Sequence, residues 1–383
     1  MTREVVIVEA VRTPVGKRKG CFRNIHPVHL ASQVLSEVVK RAGIEKGLIE
    51  DIVMGCVSPV AEQGYNIGRL AALDAKFPVE VPAVQINRMC GSGQQALHFA
   101  AQEILAGDMD ITIAAGVESM TRVPILSDGN KDTIPKSVYE KHHIVHQGVS
   151  AELIAEKYGL KRQQLDEYAY QSHQRALSAI SMGRFQYEIH PVQGQDEDGN
   201  ELLIESDEGP RNGTSLEALA KLKPVFKENG VITAGNASQM SDGSAAILLM
   251  ERQKAKQLGL KPRARILHRV VVGSNPTLML DGVIPATQKI LQKAHLTIDD
   301  MDRIEINEAF APVVLAWQKE LQADWTKVNV NGGAISLGHP LGATGVKLMT
   351  TLVHELERIN GKYGLLTICI GHGMSTAAII ERL

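Results

Sequence analysis

The segment Val81-Pro-Ala-Val-Gln-Ile86-Asn-Arg-Met-Cys90-Gly-Ser-Gly93-Gln-Gln-Ala-Leu-His98 changes character at a single cysteine. Before it, Val81 to Ile86 is an apolar, strand-like run. After it, Ala96, Leu97, Ala100, Ala101, Ile104 and Leu105 recur at helical spacing, and Gly107 supplies a stop. Cys90 therefore falls on a sharp strand-to-helix turn, at or just before a helix N-terminus. Free N–H groups and the positive end of the helix dipole favour a thiolate there. Gly91 and Gly93 let backbone donors approach a bound carbonyl closely. The stretch reads as a nucleophile elbow built with sulfur; the plainer alternative is a small buried cysteine at a tight turn.

Working outward from this elbow, two parts of the chain follow one plan. The first has a strand at Val5–Val8, a helix opening near Pro27 and ending at Gly43, and the run Ile49-Glu-Asp-Ile-Val-Met-Gly. The Cys90 elbow with its helix follows, then a strand at Ile111–Ala115 ending at Gly116. The second has a strand at Ala264–Leu267, a helix opening near Pro285, and Ile298-Asp-Asp-Met-Asp-Arg-Ile-Glu-Ile-Asn. A strand at Val328–Val330 then leads into Gly332-Gly-Ala-Ile-Ser-Leu-Gly-His339-Pro-Leu-Gly, followed by a helix and a strand at Leu365–Ile370. Asp51 precedes Cys90 by 39 positions and Asp302 precedes His339 by 37, so the chain reads as two related halves. Alternating strands and helices predict a mainly parallel, helix-covered sheet in each half. Sites in such sheets lie beyond the carboxyl ends of the strands, where Cys90 and His339 both fall.

Between the halves, residues 118–241 are richer in polar and charged side chains, with a Gln/Asp/Gly/Glu-rich segment from Gln193 to Gly213 and an amphipathic stretch from Arg162 to Met182. An excursion of this length reads as a subdomain over the cleft. The expected division is 1–117 plus about 242–262, an inserted loop domain at 118–241, and 263–383.

With 44% hydrophobic and 22% charged residues in 383, the chain is an ordinary globular protein with large cores. A formal net charge of −2 without long like-charged runs argues against nucleic acid or an anionic membrane surface as partner. Lys17-Arg18-Lys19 reads as a solvated loop. No signal peptide or membrane span is expected. Cys21, Cys56, Cys90 and Cys369 lie far apart without CxxC pairs, which excludes common zinc-ribbon spacing and argues against a disulfide framework. A cytoplasmic protein with free thiols is the simplest reading, with Cys21 and Cys56 structural. His98, His142 and His143 are also read as structural or loop residues.

Three motifs end predicted strands of the second half: Asn307-Glu-Ala-Phe310, Gly338-His339-Pro340 and Cys369-Ile-Gly371-His372-Gly373. A neutral histidine near Cys90 could take the thiol proton. Cys369 could act as an acid/base, and N–H groups of Cys90 and Gly371 could serve an oxyanion. A hydrolase needs one nucleophile and one base. A second thiol is useful where a proton moves at carbon or at another thiol, as in making or breaking a C–C bond next to a thioester.

With these motifs, and with Arg12-Thr-Pro-Val-Gly, Gly116-Val-Glu-Ser-Met120 and Thr233-Ala-Gly-Asn-Ala-Ser238, the whole chain resembles the thiolases. The resemblance implies an α/β thiolase fold: two duplicated αβαβα halves in a five-layered core with an inserted loop domain. It implies Cys90 as acyl-accepting nucleophile, His339 as its base and Cys369 as acid/base. Asn307 would hold a water that with His339 forms one oxyanion hole, and the N–H groups of Cys90 and Gly371 would form the other. Ser238 corresponds to the position touching the pantetheine arm; His146, Phe226, Ala234, Ala309 and Phe310 are substrate-lining. No metal or redox cofactor is implied, since CoA is a substrate.

The implied activity is thiolysis of 3-ketoacyl-CoA, with acetoacetyl-CoA thiolase, a condensing ketosynthase and a silent acyl-CoA carrier as alternatives. Cys369 argues against the ketosynthase. Family members form homodimers or homotetramers, and the β-oxidation branch can associate with a hydratase/dehydrogenase subunit. Two departures bear on the substrate. His372 stands where many members have glycine. Gln147 stands where acetoacetyl-CoA-specific members have methionine. Glu62-Gln-Gly-Tyr-Asn-Ile-Gly-Arg69 and Gly338-His339-Pro-Leu-Gly resemble the β-oxidation branch.

Overall fold

A computed structural model describes residues 3–130 and 132–383. Its strands are β1 (Val5–Arg12), β2 (Gly16–Lys17), β3 (Asp51–Gly55), β4 (Val84–Ile86), β5 (Ile111–Ser119), β6 (Val192–Gln195), β7 (Glu201–Ile204), β8 (Ser241–Glu251), β9 (Ala264–Gly273), β10 (Arg303–Ile306), β11 (Tyr363–Ile370) and β12 (Met374–Arg382). Ten of them form one ladder in the order β10-β11-β12-β9-β1-β8-β5-β3-β4, with β2 added to β8; β6 and β7 pair as a separate hairpin.

The duplication is visible in this order. Reading inward from either side, β3-β5-β8-β1 and β10-β11-β12-β9 repeat the same pairings: one parallel pair, then two antiparallel ones. The halves join where β1 and β9 run antiparallel over Val6–Ile7 and Ala264–Arg265. They differ at one connection. β11 turns into β12 through residues 371–373, whereas the equivalent step from β5 to β8 contains the whole excursion of residues 120–240.

Two expectations need correction. The sheets are not mainly parallel, because β8 and β12 return antiparallel to their neighbours and need no crossover helix. Val328–Val330 is not a strand; Val328 makes a single parallel bridge to Ile304. Asn329 adopts φ 44° there, which breaks the extended run. Its side chain instead accepts from Ile306 N and donates to Ile306 O, both at 2.9 Å.

Side-chain alternation along the strands builds the layers. Ala245, Ile247 and Leu249 of β8, with Leu366, Ile368 and Ala378 of the other half, enclose two helices, Ser92–Ala106 and Thr344–Ile359. Ala246, Leu248 and Met250 face the opposite way, onto helices Pro27–Ala42 and Ile67–Asp74. The outer face of the second half packs on helices Val283–Ala294 and Ala311–Leu321. The result is helix, sheet, paired helices, sheet, helix: five layers, as the resemblance implied.

The paired central helices set the site. Their first turns cross so closely that a Cβ on Gly345 would overlap the backbone of Gln94, and one on Gly93 would lie 2.7 Å from Gly342 O. Gly91 likewise lies against Ile370. These glycines let the two halves approach.

Candidate active site

Cys90 lies between β4 and the helix Ser92–Ala106, in a turn closed by local polar groups. Met89 takes φ 46°, held by its N–H donating to Asn87 Oδ1 at 2.8 Å. Asn87 Nδ2 in turn donates to Val57 O at 2.9 Å. Ser92 Oγ accepts from Arg88 N at 2.9 Å and donates to Met89 O at 2.6 Å. Such a turn raises one side chain above the sheet edge. Burial pushes the Cys90 thiol up to about 11, opposed by the N–H groups of Cys90 and Gly371 and by the Gln147 amide; Glu118 adds to the rise. The resting group is therefore the thiol. The helix end does not by itself supply a thiolate, because desolvation outweighs it.

His339 follows the glycine-rich turn and the short helix Ala334–Leu337. Gly338 takes φ 94°, a conformation open to glycine at little cost. The imidazole is buried, and burial followed by the charge of Lys347 lowers its pKa to about 3. It is a neutral ring with Nδ1 2.6 Å from Thr344 Oγ1 and Nε2 3.3 Å from Asn307 Nδ2.

Cys369 lies next to the end of β11, fully buried. Burial and then the neighbouring Cys90 raise its pKa, while the Asn307 side chain and the Ala309 N–H act against the rise. Asn307, just past β10, thus lies between His339 and Cys369, and its Oδ1 is buried without a hydrogen-bond partner. Gly371 opens the β11–β12 turn, and its N–H faces the Cys90 sulfur. One site therefore gathers Cys90, His339, Asn307, Cys369 and Gly371 from four separate segments, the last two sharing the end of β11.

Two buried carboxylates fix these turns. Glu118 accepts from Val57 N (2.8 Å), Ser58 N (3.1 Å), Gln63 Nε2 (2.8 Å) and Gly342 N (2.9 Å), tying the segment after His339 to the first half. Glu308 accepts from Tyr168 OH (2.7 Å), Ser172 Oγ (2.7 Å), Asn329 Nδ2 (3.1 Å) and Ile335 N (3.1 Å), anchoring the glycine-rich turn. Both lie in motifs quoted above without a role. A carboxylate inside an apolar strand end was the available signal.

The remaining expected residues contact one another in part. His146 caps the helix Gln147–Tyr158 and stacks on Phe226, with ring centroids 5.1 Å apart. Phe226 meets Phe310 edge-on at 6.0 Å. Ser238 N donates to Ala309 O at 3.0 Å. Ala234 is exposed in the loop after Ile232 and is not joined to them by any of these bonds.

Sequence reasoning does not find Thr344, whose hydroxyl lies against His339. Gln147, read above only for its bearing on the substrate, lies at the centre itself: its Nε2 would be 2.7 Å from a Cβ on Gly371. His372, at φ 61°, is exposed on the turn rather than turned into the centre. Among the described residues, no group of three or more His, Cys, Asp or Glu side chains is arranged to hold a metal ion, and no helix is long and apolar enough to cross a membrane.

Comparison with known proteins matches residues 5–253 to the thiolase N-terminal domain and residues 260–382 to the thiolase C-terminal domain. The chain is 47% identical to the steroid 3-ketoacyl-CoA thiolase FadA6 of Mycobacterium tuberculosis, covering 99% of this chain and 94% of that protein. It is 45% identical to a 3-ketoacyl-CoA thiolase of Vibrio cholerae (99% of each) and 42% identical to an acetyl-CoA acetyltransferase of Pseudomonas aeruginosa (99% and 100%). The crystal structure of the Bacillus anthracis acetyl-CoA acetyltransferase superposes with a TM-score of 0.92 at 40% identity, over 100% of this chain and 99% of that one. Human mitochondrial 3-ketoacyl-CoA thiolase does so with a TM-score of 0.92 at 36% identity, over 100% of each.

Proposed function

We propose that this chain, which belongs to the thiolase family, cleaves 3-ketoacyl-CoA with free CoA into acetyl-CoA and a shortened acyl-CoA through an acyl-thioester on Cys90. The carrying observation is the convergence of two buried thiols and a neutral imidazole, with the N–H groups of Cys90 and Gly371 directed at one sulfur.

His339 Nε2 takes the Cys90 proton, and the thiolate adds to the 3-keto carbon. The oxyanion is held by the N–H groups of Cys90 and Gly371. The C2–C3 bond then breaks and its electrons pass into the acetyl-CoA enolate. Protonated His339, with a water on Asn307, serves the enolate oxygen; the unpaired Asn307 Oδ1 is free to accept from that water. Cys369 gives its proton to the enolate carbon. As a thiolate it then takes the proton of CoA–SH, and the CoA sulfur attacks the Cys90 thioester. Collapse frees the shortened acyl-CoA, and the proton on His339 returns to Cys90. CoA enters as substrate, and the residue chemistry calls for no redox or metal partner.

The same reading divides the chain into 1–117 with about 242–262, 118–241 and 263–383. The excursion would seat the pantetheine through Ser238, His146, Phe226 and Ala234, with Ala309 and Phe310 behind; the aromatic contacts of His146, Phe226 and Phe310 support it. The proposed setting is the cytoplasm, in keeping with four unpaired cysteines, with a homodimer or homotetramer as the assembly and a hydratase/dehydrogenase subunit as partner.

Gln147 beside Cys90 and the names of the FadA6 and Vibrio cholerae relatives favour longer or bulkier acyl groups over acetoacetyl-CoA alone. The test is CoA-dependent cleavage of 3-ketoacyl-CoA from four to sixteen carbons, with Cys90→Ala as control. Rates rising beyond four carbons support the reading. Activity confined to acetoacetyl-CoA makes acetyl-CoA C-acetyltransferase the better description, and no acylation of Cys90 would leave a silent acyl-CoA binder.

A further inference from the structure

The imidazole of His339 is held by groups that are not interchangeable. Thr344 Oγ1 lies 2.6 Å from Nδ1 and 2.9 Å from the carbonyl oxygen of Pro340. A hydroxyl has one proton to give, and a carbonyl oxygen only accepts. The threonine therefore donates to Pro340, and its oxygen faces Nδ1 as an acceptor. Nδ1 must carry the ring proton. On the other side, Asn307 Nδ2 at 3.3 Å presents a donor to Nε2, which agrees with a lone pair there. The opposite tautomer would set a donor against a donor at Asn307 and force the hydroxyl to abandon Pro340. Thr344 is fully buried and His339 nearly so, so water does not readily substitute for either bond.

The duplication sharpens the point. Ser92 begins the first central helix where Thr344 begins the second. Ser92 Oγ also donates to a preceding carbonyl, Met89 O, and accepts a second bond, from the Arg88 N–H. The first hydroxyl closes its turn on the backbone alone. The second spends its acceptor on a side chain.

We propose that Thr344 is a positioning residue that locks His339 in the Nδ1-protonated tautomer and so presents a bare Nε2 to the Cys90 thiol. The inference rests on the proposed role of His339 as the base of Cys90.

The test compares Thr344→Val, which keeps the shape and removes the hydroxyl, with Thr344→Ser, which keeps the hydroxyl. Both are measured for thiolysis and for the pH dependence of Cys90 alkylation by iodoacetamide. The expected result is a fall in kcat of about tenfold or more for Thr344→Val, with KM for CoA little changed. Alkylation near neutral pH slows in parallel, and Thr344→Ser restores both. Wild-type rates in Thr344→Val overturn the proposal, as does a Thr344→Ser variant no better than Thr344→Val, which would mean that the methyl packing matters. If Thr344→Val does not fold, 15N spectra of histidine-labelled wild type decide, with the His339 signals assigned by their loss in His339→Asn. A protonated Nδ1 supports the lock and a bare Nδ1 refutes it. Failure of the wild type to form an acyl-Cys90 would instead refute the proposed function, so the two failures are distinct.

Discussion

Acid should unfold this protein through histidines that are buried neutral, and His98 isolates the effect from catalysis. His98 lies on the central helix Ser92–Ala106, 2% exposed, with Nε2 unpartnered. Burial, then the charges of Arg269, Arg88 and Lys293, lower its pKa from 6.5 to about 3. The folded ring thus resists a proton that the unfolded chain accepts. Stability from this source is fully present above about pH 6.5 and is lost progressively as pH falls toward 3. At pH 5 the unfolded state gains about 2 kcal/mol from this one group. His339, lowered to the same value, adds a similar amount. Together they approach a typical total stability of about 5–15 kcal/mol.

The assay is urea unfolding from pH 7.5 to 5 for wild type and His98→Leu. Buried Glu118 and Glu305, which burial raises, titrate in the opposite sense. The readout is therefore the difference between the two proteins. His98→Leu should gain about 2 kcal/mol relative to wild type over that range, whatever its offset at pH 7.5. Parallel stability curves would show that His98 is already protonated or solvated in the native state, and would refute the reasoning. Because His339 stays neutral across this range, activity lost on acidification should track unfolding rather than protonation of the base.

Replacing Cys369 by Ala should reduce kcat for thiolysis by about 10²-fold or more, the usual contribution of a proton-transferring group. Alkylation of Cys90 should persist; its loss would mean that Cys369 mainly supports the nucleophile. His372→Gly removes a left-handed conformation costing about 1 kcal/mol, partly offset by the entropy of glycine in the unfolded chain. The midpoint of urea unfolding should therefore rise slightly, and a fall would show that the imidazole makes a stabilising contact. Gly345→Ala places a Cβ into the backbone of Gln94. A loss of about 3 kcal/mol or more is expected, read as a lower melting temperature and poor soluble yield.

The elbow at Cys90, the helix Pro27–Ala42 with its stop at Gly43, β10 and the strand carrying Cys369 were legible because each is a local event. Periodicity, a glycine stop or a cysteine after an apolar run is written in adjacent residues. The repeat was legible for the same reason, since two similar local patterns at similar spacing suffice to show it. The return strands β8 and β12 were not recognised, and their antiparallel direction depends on partners far along the chain. Asn329 broke an apparent strand because its amide found the Ile306 backbone.

The sequence by itself determined which side chains are proposed to carry the chemistry: two thiols, an imidazole and an amide in short motifs whose residue types limit what they can do. Only the tertiary structure decided their states. Cys90 stands at a helix start, which favours a thiolate, yet burial across the packed halves makes it a thiol that needs a base. His339 is neutral because the fold removes it from water and sets Lys347 nearby. Its tautomer follows from Thr344 and Pro340, and its place beside the first half from the bond of Gly342 to Glu118. Desolvation and long-range hydrogen bonding are sums over neighbours that no short stretch contains, so they appear only when the chain is packed.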